Sequence, residues 1–162
     1  MQVYVCGYRG KGAGSKFIKW FTFGRFSHVS LVFDNGVGRP EEIEAIQGKG
    51  VHRQYFDATA DNYTLFRVPC NAAQGEEAHE FASNQVGKKY DWFGIWGFVR
   101  RAFRQDPTKW FCSELVFATL VKIGVLLLRK KASQVNPDML CASTVITPMP
   151  SAPSHWFKKE AA

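Results

Sequence analysis

The sequence has no apolar run long enough to cross a bilayer: its longest apolar stretch, Leu115 to Leu128, is interrupted by Lys122, whereas a spanning helix needs about 20 apolar residues. It also lacks a C-x-x-C pair. Cys6, Cys70, Cys112 and Cys141 stand far apart, so zinc-ribbon spacing is missing. With 46% hydrophobic and 15% aromatic residues among 162, the chain can fill a core without a disulfide framework. Each cysteine is therefore judged by its own surroundings. Internal repeats and low-complexity segments are missing too, and glycine and proline are scattered. Nothing marks an internal boundary, and one domain over residues 1–162 is expected. Met1 to Cys6 reads as a short apolar strand ending at Gly7, without the basic start and long apolar middle of a signal peptide. A cytoplasmic product is expected.

Acidic residues are in the minority: Lys and Arg number 21 against 14 Asp and Glu, a formal net charge of +7. That balance suits an anionic surface as partner. The clusters Lys88-Lys89, Arg100-Arg101 and Arg129-Lys130-Lys131 are too short to specify nucleic acid, and solvated surface is their first reading. Cofactor fingerprints fail on detail. Gly12 is followed by Ala13 where a phosphate loop needs lysine, and Ser15 stands where a dinucleotide fingerprint needs its third glycine. Cys112, His28 and Cys141 lack the local spacing of a structural zinc site. Neither a cofactor nor a metal is expected.

After the opening strand, Gly10 to Ser15 reads as a flexible loop and Lys16 to Phe23 as a short helical piece. Strand character follows at Ser27 to Asp34, Glu41 to Gln47 and Tyr63 to Val68, with Asn35-Gly36 as the first turn; an antiparallel meander is expected. Asn71 and Gln74 have the form of a capping box opening a helix to about Val86, and Gly87 stops it. Tyr90 to Phe103 is dense in aromatics and then basic at Arg100, Arg101 and Arg104. From Phe111 the spacing Cys112, Leu115, Val116, Thr119, Leu120, Ile123 follows one face of a helix. The proline-bearing tail, residues 136–162, is expected to run as an extended surface segment. Strands first and helices second point to an α+β domain, helices packed on one side of an antiparallel sheet.

Cys112 opens a helix, where unpaired backbone N–H groups and the positive end of the dipole favour a thiolate. Its place on the apolar stripe equally suits a space-filling cysteine. His28 tips the balance. Strand alternation puts it with Ser30, Val32 and Asp34, opposite Val29, Leu31 and Phe33, so an imidazole on the sheet can meet a thiol at a helix tip. His52 follows a turn, His79 sits on a surface helix and His155 lies in the tail, away from any such thiol. For a third group orienting the ring, a hairpin through Asn35-Gly36 offers Glu44, with Gln47 or Asp34 if the register slips; Glu42 is expected to be solvated.

Ser27-His28-Val29, Ile43-Glu44-Ala45, Gly50-Val51, Gly87-Lys88-Lys89-Tyr90-Asp91 and Phe111-Cys112-Ser113-Glu114-Leu115, in that order, resemble the circularly permuted branch of the NlpC/P60 superfamily, most closely its YiiX/YebB-like group of papain-fold cysteine hydrolases. The likeness runs from His28 to Thr119. It implies a permuted papain-like fold with Cys112 as nucleophile, His28 as general base and then acid, Glu44 as orienting residue, and Tyr90 with the Cys112 N–H at the oxyanion. Phe111-Cys112-Ser113-Glu114 departs from the Asp-Cys-Ser-Gly usual in the unpermuted enzymes. The expected activity is cleavage of an amide bond in a peptide, isopeptide or cell-wall peptide through a thioester. The permuted branch also resembles enzymes that move fatty acyl chains, so a lipid acyltransferase or thioesterase on the same three residues is the alternative. A non-catalytic basic module binding nucleic acid or anionic lipid is the other.

Overall fold

The computed structural model describes residues 1–9, 24–91 and 108–157. The expected loop at Gly10 to Ser15, the helical piece Lys16 to Phe23 and the run from Trp92 through Phe103 to Arg104 lie outside the described residues. Five strands, β1 (Gln2–Tyr8), β2 (His28–Asp34), β3 (Glu41–Ile46), β4 (Gly50–Tyr55) and β5 (Tyr63–Arg67), precede helix α1 (Ala72–Ser83). The short strands β6 (Lys89–Tyr90) and β7 (Lys109–Trp110) follow, then α2 (Cys112–Lys122), α3 (Pro137–Cys141) and β8 (Thr147–Pro148). The main sheet has six strands in the order β4-β3-β2-β1-β5-β8, with every pairing antiparallel. β6 and β7 pair in parallel beside it.

Strand alternation sorts the sheet into two faces. Val3, Val5, Val29, Leu31, Phe33, Ile43, Ala45 and Phe66 join one core with Ala78 and Ala82 of α1 and Leu115, Val116 and Leu120 of α2. Tyr4, Cys6, Val32 and Leu65 form a second core with Phe56, Ala152 and Trp156. Helices α1 and α2 therefore cover one face, as the pattern of strands and helices predicts. The α1 capping box is present: Gln74 N–H donates to Asn71 Oδ1 at 2.9 Å, and Asn71 N–H to Gln74 Oε1 at 3.0 Å. Among the described residues, no helix is long and apolar enough to cross a membrane.

Three features differ from expectation. β4 had no strand signal, because its outer half, Arg53 to Tyr55, is polar and exposed, as an edge strand is. β5 does not extend the β2-β3 hairpin but pairs with β1, Cys6 opposite Leu65, a long-range choice with no local cue. The tail from Asn136 is not an extended surface run. Asn136 caps α3 by accepting from Met139 N–H at 2.8 Å, and Pro137 occupies the first turn, where a missing N–H costs nothing. Leu140 and Trp156 are buried in separate cores, and the Trp156 indole donates to Asp34 Oδ2 at 2.9 Å.

Candidate active site

The site is assembled from three elements. β2 begins at His28, which pairs with Tyr8 of β1, and β3 runs beside β2 with Val32 opposite Glu42. Period-two alternation then puts Glu42 and Glu44 on the face that carries His28, Ser30 and Val32. Of the three carboxylate or amide candidates, the register sets Glu44 beside His28. Glu44 Oε2 lies 2.5 Å from His28 Nε2. Gln47 falls in the turn after β3, and Asp34 accepts from Trp156, from Gly36 N–H at 2.8 Å and from His155 Nε2 at 2.9 Å.

Cys112 is the first residue of α2 and is buried. Helix α2 has no side-chain cap at Phe111; instead Glu114 reaches back and accepts from the Phe111 N–H at 3.1 Å. That bond ties down the peptide immediately ahead of the cysteine. Burial holds the Glu114 carboxyl up to about 7, with Phe111 N–H pulling it down and Asp91 pushing it up.

Electrostatically, His28 and Cys112 are partners. Burial lowers the basicity of the imidazole, but the charge of Cys112 and a hydrogen bond with it, together with the hydrogen bond to Glu44 and its charge, push it up to about 10. Burial raises the Glu44 carboxyl, yet its bond to His28 and the positive charges of His28, His52 and Lys49 hold it below its ordinary value. The Tyr90 phenol is pushed up by burial, next by Cys112, then by Asp91 and Glu114; its ring centroid is 5.8 Å from that of Phe111. The structure thus brings His28, Glu44 and Cys112 together and sets Tyr90 where it feels the cysteine's charge. Cys141 packs near Phe26 at Gly7; burial, then the charges of Asp138 and Cys112, push its thiol up, and burial pushes up that of Cys6.

Glu42 corrects the expectation of a solvated carboxylate. It is 2% exposed and accepts from Tyr8 OH and Ser30 Oγ at 2.6 Å each and from Gln54 Nε2 at 2.9 Å. His52, His79 and His155 each pair with a carboxylate, of Glu44 at 3.3 Å, Glu41 at 2.5 Å and Asp34 at 2.9 Å. Tyr8 and Gln54 went unnoticed in the sequence, Ser30 was read only as a neighbour of His28 on its strand face, and His52 was set aside as following a turn. The usable signal was the alternation of Glu42 with Glu44 and of His52 with Gln54, two polar pairs at strand period.

Among solved structures, the crystal structure of metalloprotein YiiX from Escherichia coli O157:H7 matches 94% of this chain and 97% of its own, with a TM-score of 0.69 and 18% sequence identity. The fold is that of YiiX. The YiiX likeness expected from five short motifs therefore holds for the α+β architecture as a whole, a six-stranded antiparallel sheet with helices packed on it. No family model matches the chain, and no curated protein does.

Proposed function

We propose that the protein is a cysteine hydrolase that cleaves an amide bond of a peptide, isopeptide or cell-wall peptide. One observation carries this reading: His28 Nε2 lies 2.5 Å from the Glu44 carboxylate, and the same ring interacts electrostatically with Cys112, the first residue of a helix. With Nε2 committed to Glu44, Nδ1 is the nitrogen that takes the thiol proton. Taking that proton as general base, His28 makes the sulfur the nucleophile.

Cys112 Sγ attacks the carbonyl carbon and the carbonyl oxygen becomes an oxyanion, with the Cys112 N–H and Tyr90 OH as its donors. His28 then gives its proton to the leaving nitrogen as the C–N bond breaks, and a thioester remains. Water, losing a proton to His28, attacks the thioester; the acid departs and the sulfur recovers its starting state. Glu44 keeps the ring oriented and offsets its positive charge in both halves. YiiX is described as a metalloprotein. Among the described residues here, no group of three or more His, Cys, Asp or Glu side chains is disposed to hold a metal ion.

The test is intact-mass measurement after incubation with peptide, isopeptide and lipid acyl donors. A hydrolase gives an acyl adduct on Cys112, lost in Cys112→Ala and in His28→Ala. A fatty acyl adduct instead would assign the acyltransferase chemistry. No adduct from any donor, together with equal iodoacetamide labelling of all four cysteines, would refute an enzymatic site.

A further inference from the structure

Only one oxygen of Glu44 faces His28. The other, Oε1, accepts from Gln54 Nε2 at 3.2 Å and lies 3.3 Å from His52 Nε2. The same Gln54 nitrogen donates to Glu42 Oε2 at 2.9 Å, so the two hydrogens of one amide are divided between two carboxylates. Glu42 is itself fixed, with its second oxygen taken by Tyr8 OH and Ser30 Oγ. Tyr8 closes the ring of contacts, since its aromatic ring lies 5.7 Å from that of His28, centroid to centroid.

Two carboxylates two positions apart on one strand face repel, and each keeps several rotamers unless tied down. A glutamate side chain has about 1.5–2 kcal/mol of rotamer freedom to lose, and a poorly placed Glu44 would leave His28 free to turn away from Cys112. His52 is a weaker anchor. Its Nδ1 is buried with no hydrogen-bond partner, so its ring is held from one end, whereas Gln54 is held by both carboxylates.

We propose that Gln54 is a positioning residue: its amide, seated on the buried Glu42, fixes the Glu44 carboxylate and through it the His28 ring that serves Cys112. This rests on the hydrolase reading for its consequence in catalysis, but not for its geometry. The groups that face His28 are Cys112, Glu44 and Tyr8, and those that face Glu44 are His28, His52, Gln54 and, by charge, Lys49.

The experiment uses the full chain with Gln54→Leu, which removes the donor, and Gln54→Ser as a second variant. Gln54 is exposed on an edge strand, so both are expected to fold. The first readout is the His28 ring titration by NMR in a Cys112→Ala background, where the thiol's charge is gone; the expected result is a lower midpoint in both variants. The second is alkylation of Cys112 by iodoacetamide at pH 7, expected to slow about tenfold with the urea midpoint unchanged. A His28 midpoint equal to that of Cys112→Ala alone, with an alkylation rate equal to that of the parent chain, would overturn the proposal. If the midpoint moves but no acyl donor ever modifies Cys112, the positioning stands and the hydrolase reading fails.

Discussion

Glu44→Gln removes the negative charge beside His28 Nε2 while keeping the size of the side chain. A hydrogen bond to a charged partner contributes about 1.5–3 kcal/mol, and about 1.4 kcal/mol corresponds to one pKa unit or a tenfold rate. The His28 midpoint, held up to about 10 in the parent, should therefore fall by about 1–2 units. A second effect adds to the first. If the new amide donates to Nε2, the ring proton is forced onto Nδ1, where it blocks transfer from the thiol; a wrong tautomer costs up to about 10⁴ in turnover. Stability changes with a definite sign. His28 rises from 6.5 on folding, so its contribution is complete below pH 6.5 and is lost as pH rises through about 10. Glu44 falls from 4.5, so its contribution is present above pH 4.5 and lost as pH drops through its folded value. The destabilisation by Glu44→Gln is thus largest between pH 4.5 and 6.5 and shrinks toward pH 10. NMR titration of His28, the pH profile of Cys112 alkylation and urea unfolding at pH 6 and pH 10 test it together. An unchanged midpoint with an unchanged alkylation profile would mean that Glu44 does not act on His28.

Gly75→Ala should lower the melting temperature, although alanine in place of a mid-helix glycine ordinarily stabilises by about 1 kcal/mol. A Cβ there would meet Met1 O at 1.9 Å; a raised melting temperature would contradict the close approach of β1 to α1. Trp156→Ala should cost about 3–5 kcal/mol in urea unfolding, because it empties the second core and removes a donor from the buried Asp34. A change within about 0.5 kcal/mol, as for surface positions, would show that the C-terminal segment does not contribute to the fold. Glu114→Gln keeps an acceptor for the Phe111 N–H and removes a carboxyl raised from 4.5 to about 7. The raised value means stability present below pH 4.5 is lost as pH climbs through 7, so the variant should gain up to roughly 3 kcal/mol over the parent at pH 8 and little at pH 4. Thermal unfolding at the two pH values reads the difference.

Much of the site was legible because its signals are local. The alternation from His28 to Asp34 follows from the two-residue repeat of a strand, and the helix at Cys112 from its apolar spacing; neither needs knowledge of a neighbour. The histidine and cysteine could be named for the same reason, as each sits at an element boundary visible in the chain. Glu44 was one of three candidates, since the pairing of β2 with β3 depends on which side chains can be buried together. Glu42 was misread as solvated because a carboxylate's surroundings are set by Tyr8, Ser30 and Gln54, three residues on three different strands. The tail was misread because the proline that signals an extended chain also fits the first turn of α3.

By itself, then, the amino-acid order determined that β1, β2, β3 and β5 become strands and α1 and α2 helices, where α1 is capped, and that a thiol and an imidazole stand at element ends. The folded structure alone decided that β1 lies between β2 and β5, that Asp34 serves Trp156 rather than His28, and that two carboxylates share one glutamine amide. The division has a physical cause. Propensity, capping and periodicity act over a few neighbouring residues, whereas register and burial are fixed by side chains that meet across tens of positions in the chain.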